Sequence, residues 1–466
     1  INLRSNLYAT EDFLDSLQVS KNYMADQNLY IRERIFDMWI GDWNKTNENW
    51  EWQSHTVNDS VIYTPIVIDR NHAFTKVDGV LFKQMLKMLS LDFICNYDSL
   101  ILKDTKKINK LAFALDMAVA GRSDESVWIR QAQEIRKQMT DSLIDSAFTY
   151  LPEGVKHDEI ELIKQKLKRR RLELEAVASQ YYRLLQRTPV VAGTNQSDYF
   201  LIERQAPDRT ILRIYDPETG DCRLEQQFSG KETKELWLYG LAGNDTFEVK
   251  GNTRKDFPIY LISGEGENQY QLNHSRKIHV YDKDYKYDYQ KIKYHKISFT
   301  PWGIYDSDKG ISLGTFFTYT MYGFKRAPFT YQHRIGYNYL KGFMYAGVFP
   351  NYDGRRRLYL NASISSPRNF ENFFGFGNNT AGYKEEKKNY NRVKLRTYML
   401  NPSFEMDLRK EEVVTFFGSL DMYKAKRTDD RYIYTVYGED HPIFRTNYFV
   451  GLGATYRITK QPYSWL

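Results

Sequence analysis

Two cysteines, Cys95 and Cys222, in 466 residues leave no disulfide framework and no cysteine-based zinc spacing. No run of 18 or more apolar residues occurs, which excludes a transmembrane helix but not membrane-spanning strands. The eight histidines are scattered and none forms the His-Glu-x-x-His pair of a helix-borne zinc site. The chain begins at Ile1 with no charged and apolar leader, so any signal peptide is removed or lies upstream. The net charge of +7 is mild and gathers in runs such as Lys166–Arg171 and Arg355–Arg357. Those runs suit solvated faces or membrane-flanking loops, and no nucleic-acid groove is expected.

Aromatic residues are plentiful instead. Of 72 Phe, Trp and Tyr residues, 37 lie in the 172 positions from His295 onward. There the pattern is strict alternation. Ile311, Leu313, Phe317 and Tyr319 share one parity, and Ser312, Gly314, Thr318 and Thr320 the other. Near the end, Tyr448, Val450, Leu452, Ala454, Tyr456 and Ile458 alternate with Gly451, Gly453, Thr455 and Arg457. Successive strand side chains point to opposite faces, so one face is apolar and the other small or polar. Strands are expected near 296–304, 310–324, 328–340, 342–350, 355–365, 389–407, 412–426 and 444–459. Such strands suit a wall with lipid on one side and water on the other. A soluble β-sandwich also alternates, but keeps more charge on its outer parity.

Upstream, helical spacing marks Ala9–Gln18, Leu29–Ile40, Val80–Ser90, Ile108–Ala118, Glu125–Tyr150 and Asp158–Gln186, with one β-like stretch at Val61–Ile68. The basic face of the last helix, from Lys164 to Arg170, reads as solvated. At Thr188-Pro189 the period changes to short strands with turns. Leu238–Phe247 and Leu261–Tyr270 look alike, each a strand, a glycine turn with acid or amide, and an aromatic strand. They resemble coils of a parallel β-roll, but lack the tandem nine-residue repeats of the calcium-binding kind. The expected domains are 1–188, mostly α; 189–280, small all-β and β-roll-like; a linker, 281–295; and 296–466, the N-terminal half of a transmembrane antiparallel β-barrel.

One loop carries candidate chemistry, Gly41-Asp42-Trp43-Asn44-Lys45-Thr46-Asn47-Glu48-Asn49-Trp50, followed by Ile68-Asp69-Arg70-Asn71-His72-Ala73-Phe74. Phosphotransferases of the kinase type need an Asp base, a metal-holding Asn five residues later, and a second metal-holding Asp further on. The spacing Asn44, Asn49, Asp69 matches. The stretch resembles the HipA-like and CotH-like kinase fold, closest to a module in outer-membrane proteins of Bacteroidota, which implies a kinase C-lobe-like domain. The resemblance makes Asn44 the position of the catalytic base, and Asn49 and Asp69 the metal ligands. Asparagine cannot accept a proton as a carboxylate does. The module therefore reads as degenerate, a pseudokinase with no enzymatic activity and no cofactor beyond a vestige of Mg/ATP binding.

The last 170 or so residues have their own resemblance. Pro328–Tyr337 and Asn372-Phe373-Phe374-Gly375-Phe376-Gly377-Asn378-Asn379 look like the BamA-like surface-antigen barrels. That implies an outer-membrane protein with periplasmic N-terminal domains and a structural, assembly or translocation role. Its expected partners are the lipid bilayer and other outer-membrane assembly or periplasmic proteins. The competing readings are a phosphotransferase-like enzyme or nucleotide and metal sensor anchored to the outer membrane, and a porin-like channel.

Overall fold

The computed structural model of the chain describes residues 6–89, 91–152, 154, 157–252, 256–273, 276–282, 285–326, 328–351, 354–377, 389–409 and 411–459. Asn378 and Asn379 of the barrel-like string lie outside them. The chain divides into two units, Ile1–Lys293 and Tyr294–Leu466.

The first unit opens with strand β1 (Leu7–Ala9), helix α1 (Thr10–Val19), strand β2 (Tyr23–Ala25) and helix α2 (Gln27–Ile40), then strands β3 (Trp50–Val57) and β4 (Ser60–Val67). The four strands form one sheet in the order β1-β3-β4-β2. Alternation in β3 sends Trp50 and Trp52 inward. Phe13 of α1 stacks on Trp52 at 3.7 Å, and Tyr30 of α2 lies 4.9 Å from Trp50. Asp26 caps α2 by accepting from the Leu29 amide, and Gly41 ends the helix at φ +79°.

Helices α3 (Val80–Met88), α4 (Thr105–Ile108), α5 (Phe113–Ala120), α6 (Glu125–Gln138), α7 (Asp141–Ala147), α8 (His157–Arg171) and α9 (Leu174–Leu185) follow. The single helix expected over 125–150 breaks because the Thr140 hydroxyl accepts from the Leu143 amide and starts α7 anew. Arg170 departs from the solvated face expected of it. It is 3% exposed and donates to the carbonyls of Met38, Trp39 and Asp98, so it closes the C-terminal end of α2.

The expected fold class needs correction. Among the described residues 27% are helical and 39% lie in strands, and a mostly α kinase C-lobe does not fit the first 188 residues. The loop after Gly41 leads into β3, whose alternating tryptophans build a sheet with β4. Nor does any sheet close into a barrel among the described residues.

Next come β5 (Val190–Ala192), β6 (Tyr199–Gln205), β7 (Arg209–Tyr215), β8 (Cys222–Ser229), β9 (Leu236–Tyr239), β10 (Thr246–Gly251), β11 (Ile259–Gly264), β12 (Gln269–Leu272) and β13 (Ile278–Asp282). They form two sheets, β12-β10-β6-β7-β8 and β13-β11-β9-β5. The pairs β5–β9, β9–β11, β6–β10 and β10–β12 are parallel, so the chain coils three times between the sheets. Val191, Phe200, Leu238, Phe247, Ile259 and Leu261 fill the space between them. Register aligns Tyr199, Thr246 and Gln269, so the residues before them, Asp198, Asp245 and Asn268, stack at one turn. The coils stack so closely that a Cβ on Gly266 (φ +110°) would lie 1.7 Å from the Gly243 carbonyl oxygen.

The second unit is one antiparallel sheet. Its strands are β14 (Lys296–Asp306), β15 (Gly310–Met321), β16 (Tyr331–Asn338), β17 (Gly342–Pro350), β18 (Arg356–Ser365), β19 (Phe370–Asn372), β20 (Arg392–Arg409), β21 (Glu412–Ala425) and β22 (Asn447–Ile458), with helix α10 (Tyr432–Tyr437) before the last. The order is β14-β15-β16-β17-β18-β20-β21-β22, with the short β19 against β20.

Candidate functional site: a two-faced sheet and the Asn44–Asp69 loop

Pairing register shows what the alternation builds. Phe299, Phe317, Ile335, Tyr345, Ala362, Leu400, Leu420 and Val450 are successive cross-strand partners, an unbroken apolar row across eight strands. This face is open. Leu452 is 89% exposed, Ile297 76% and Val450 75%. On the other face Thr318, Arg334, Ala346, Asn361 and Asn401 are partners in turn. Ser312 and Asn338 are buried there and hydrogen-bonded to each other, and Gln332 donates to Thr320 at 2.9 Å. Arg357 pairs with Glu405 at 3.2 Å and with Asp407 at 2.5 Å. A water-soluble antiparallel sheet hides its apolar face; this sheet leaves its apolar face open.

At one end, the polar-side parity of the sheet carries an apolar cluster. Val393, Leu395 and Ala425 pack with Ile433 and Tyr437 of α10 and with Phe373, Ile443 and Phe444. The segment between β21 and β22 thus folds over that face. Gly310-Ile311-Ser312-Leu313-Gly314 spells the Gly-x-Ser-x-Gly of hydrolase elbows. It lies within β15, with no strand-to-helix turn to expose a nucleophile.

In the first unit, the segments around Asn44 and Asp69 sit against a buried ion network. Arg34 of α2, 1% exposed, donates to both Asp116 oxygens (2.8 and 3.2 Å), to Asp37 (3.1 Å) and to Asn109 (2.7 Å). Tyr30 and Tyr181 complete Asp116. Burial opposes the Arg34 charge, but Asp116 and Asp37 outweigh it and hold the guanidinium above its ordinary pKa. Lys45, also 1% exposed, lies 2.6 Å from Asp42 and 3.7 Å from Asp37, and its ammonium donates to the Asp69 carbonyl. Arg70 adds a further cation on Asp37 at 2.9 Å.

The three residues singled out in the sequence fall around this network. The Asn44 amide donates to Asp42 at 3.3 Å, closing a turn. The Asn49 side-chain oxygen accepts from the Thr46 amide (2.8 Å) and hydroxyl (3.0 Å), a capping box. Asn49 and Asp69 flank the β3–β4 ladder and are brought near one another, since the Ile68 amide donates to the Asn49 carbonyl at 3.0 Å. Asp69 accepts from the Asn71 amide at 2.7 Å. This donor set does not fit a divalent cation. The Asn49 oxygen is spent on a cap, and the Lys45 ammonium already sits among Asp37, Asp42 and the Asp69 carbonyl. Among the described residues no group of three or more His, Cys, Asp or Glu side chains is placed to hold a metal.

Sequence reasoning missed Arg34, Asp37 and Lys45. The signal was present: Arg34 and Asp37 interrupt the buried stripe Tyr30, Ile31, Ile35, Met38 at helical spacing. It also missed the stacked turn. The Asp198 amide donates to Asp245 and the Asp245 amide to Asn268, both at 2.9 Å. Asp245 is fully buried and its second oxygen has no partner among the described residues. Burial, with the nearby Asp198 charge, pushes its carboxyl up to about 8. No protein-family model, curated protein or solved structure matches the chain.

Proposed function

We propose that Tyr294–Leu466 is a lipid-facing wall in a bacterial outer membrane, of the BamA-like kind, and that Ile1–Lys293 is its periplasmic part. The role is structural, in assembly or in translocation. The observation that carries this reading is the exposed apolar row from Phe299 to Val450, backed by a hydrogen-bonded polar face. Hydrocarbon solvates the first, and only a watery or protein interior accepts the second. Among the described residues no strand pairs with the outer edges of β14 and β22, and lipid cannot satisfy the backbone groups there, so insertion requires further strands along both. A simple porin is less well supported, because the α10 segment covers one end of the polar face.

Membrane fractionation tests the reading. The protein is expected in the outer-membrane fraction, resistant to alkaline carbonate and released by detergent. Release by carbonate without detergent would refute it.

A further inference from the structure

The geometry points to a second, shallow membrane contact in the first unit: helix α3 rests its apolar side on the phospholipid surface. This rests on the reading that the second unit lies in the outer membrane. Between Thr75 and Tyr97 the chain makes an excursion whose neck is closed by the Tyr97 amide on the Thr75 carbonyl (2.8 Å) and the Val77 amide on Asn96. Its returning half is fixed, with Phe93 5.5 Å from Trp43 and Lys110 2.7 Å from Asp92. Helix α3 sits in the outgoing half. Leu81 is 88% exposed, Val80 79% and Leu89 60%, with Phe82, Met85 and Met88 also open, while Leu86 alone of the helix's large apolar side chains is buried.

At 100° per residue Leu81, Phe82, Met85, Met88 and Leu89 share one arc, and Lys83 lies opposite. The helix holds two lysines and no acid. An apolar arc opposed by Lys83 suits the boundary between headgroups and acyl chains, with the positive charge complementing anionic lipid. A single helix of nine residues binds such a surface weakly. The covalent link to a membrane-held unit raises its effective concentration and makes the weak contact count.

The test uses the full chain together with the strands that complete its sheet, reconstituted in phosphatidylethanolamine–phosphatidylglycerol vesicles, with Cys95→Ala and Cys222→Ala as background. An environment-sensitive NBD label is placed on Leu81→Cys or, separately, on Leu452→Cys of β22. Lipids carrying a nitroxide high on the acyl chain are the quencher. The expected result is blue-shifted emission at 81 with an about two-fold loss of intensity in the nitroxide vesicles, as for a shallowly buried side chain. Quenching at 452 with a water-like, unquenched signal at 81 overturns the α3 contact and leaves the membrane reading standing. A blue-shifted but unquenched label at 81 means that protein covers α3, and also overturns it. Absence of quenching at both positions overturns the membrane reading itself, and the α3 contact with it.

Discussion

Replacing Asp245 by Asn should remove a pH-dependent weakness of the coiled β region. The carboxyl is buried at the stacked turn, keeps one hydrogen bond from the Asp198 amide, and has a second oxygen with no partner among the described residues. Its pKa, up to about 8, stands about four units above an ordinary aspartate. Below pH of about 4 both the native and the unfolded chain hold the proton, and Asp245 imposes no penalty. Between about pH 4 and 8 the unfolded chain releases the proton and the native one keeps it, so stability falls as pH rises. At about 1.4 kcal/mol per unit the loss above pH 8 reaches about 5–6 kcal/mol, which relaxation around the carboxylate trims to about 2–5. Asparagine has the same shape, still accepts from the Asp198 amide, and does not ionise. Because two units need not unfold together, the measurement must be local. Amide hydrogen exchange of 199–204 and 246–251, corrected for intrinsic rates, should lose protection from pH 5 to pH 9 in the parent. Most of that loss should vanish in Asp245→Asn. Burial also raises Asp198, so a residual slope of the same sign is expected, and the difference between the two proteins isolates Asp245. Parallel loss of protection in both would refute the reasoning.

Arg34→Leu leaves Asp116 and Asp37 buried without their main cation; local unfolding of the first unit by pulse proteolysis should become easier by about 3–5 kcal/mol. Lys45→Met strands Asp42 in the same way and should cost about 3 kcal/mol by that assay, while magnesium with ATP should leave the melting temperature of the parent unchanged. On the second unit, Leu452→Arg places a charge on the exposed apolar face and should lower the yield of membrane-inserted protein, consistent with about 2–4 kcal/mol at mid-depth. Thr455→Arg, on the opposite parity of the same strand, should assemble normally in the same fractionation.

Much of the second unit was legible in the sequence. Strand side chains have a period of two residues, so the alternation around Ile311–Met321 and Tyr448–Ile458 fixes both the element and its two faces. The observed β14 to β18 and β20 to β22 lie within a few residues of the expected spans, while the short β19 falls between two of them. The ends of α2 were equally local, set by Asp26 and Gly41. The sheet of the first unit was less so, because β1 and β2 have three residues each and gain their identity only by pairing with β3 and β4.

The candidate residues show the same division. Sequence spacing alone brought Asn44, Asn49 and Asp69 into one neighbourhood, and pairing of β3 with β4 placed two of them together. What each side chain does there was decided by partners distant in the chain: Lys45 donating to the Asp69 carbonyl 24 residues on, Arg34 held by Asp116, Asp245 stacked on coils 23 and 47 residues away. Spacing along a chain sets which face a residue occupies. Whether its charge is solvated, paired or stranded depends on what the other elements bring against that face, and only the tertiary structure decides that.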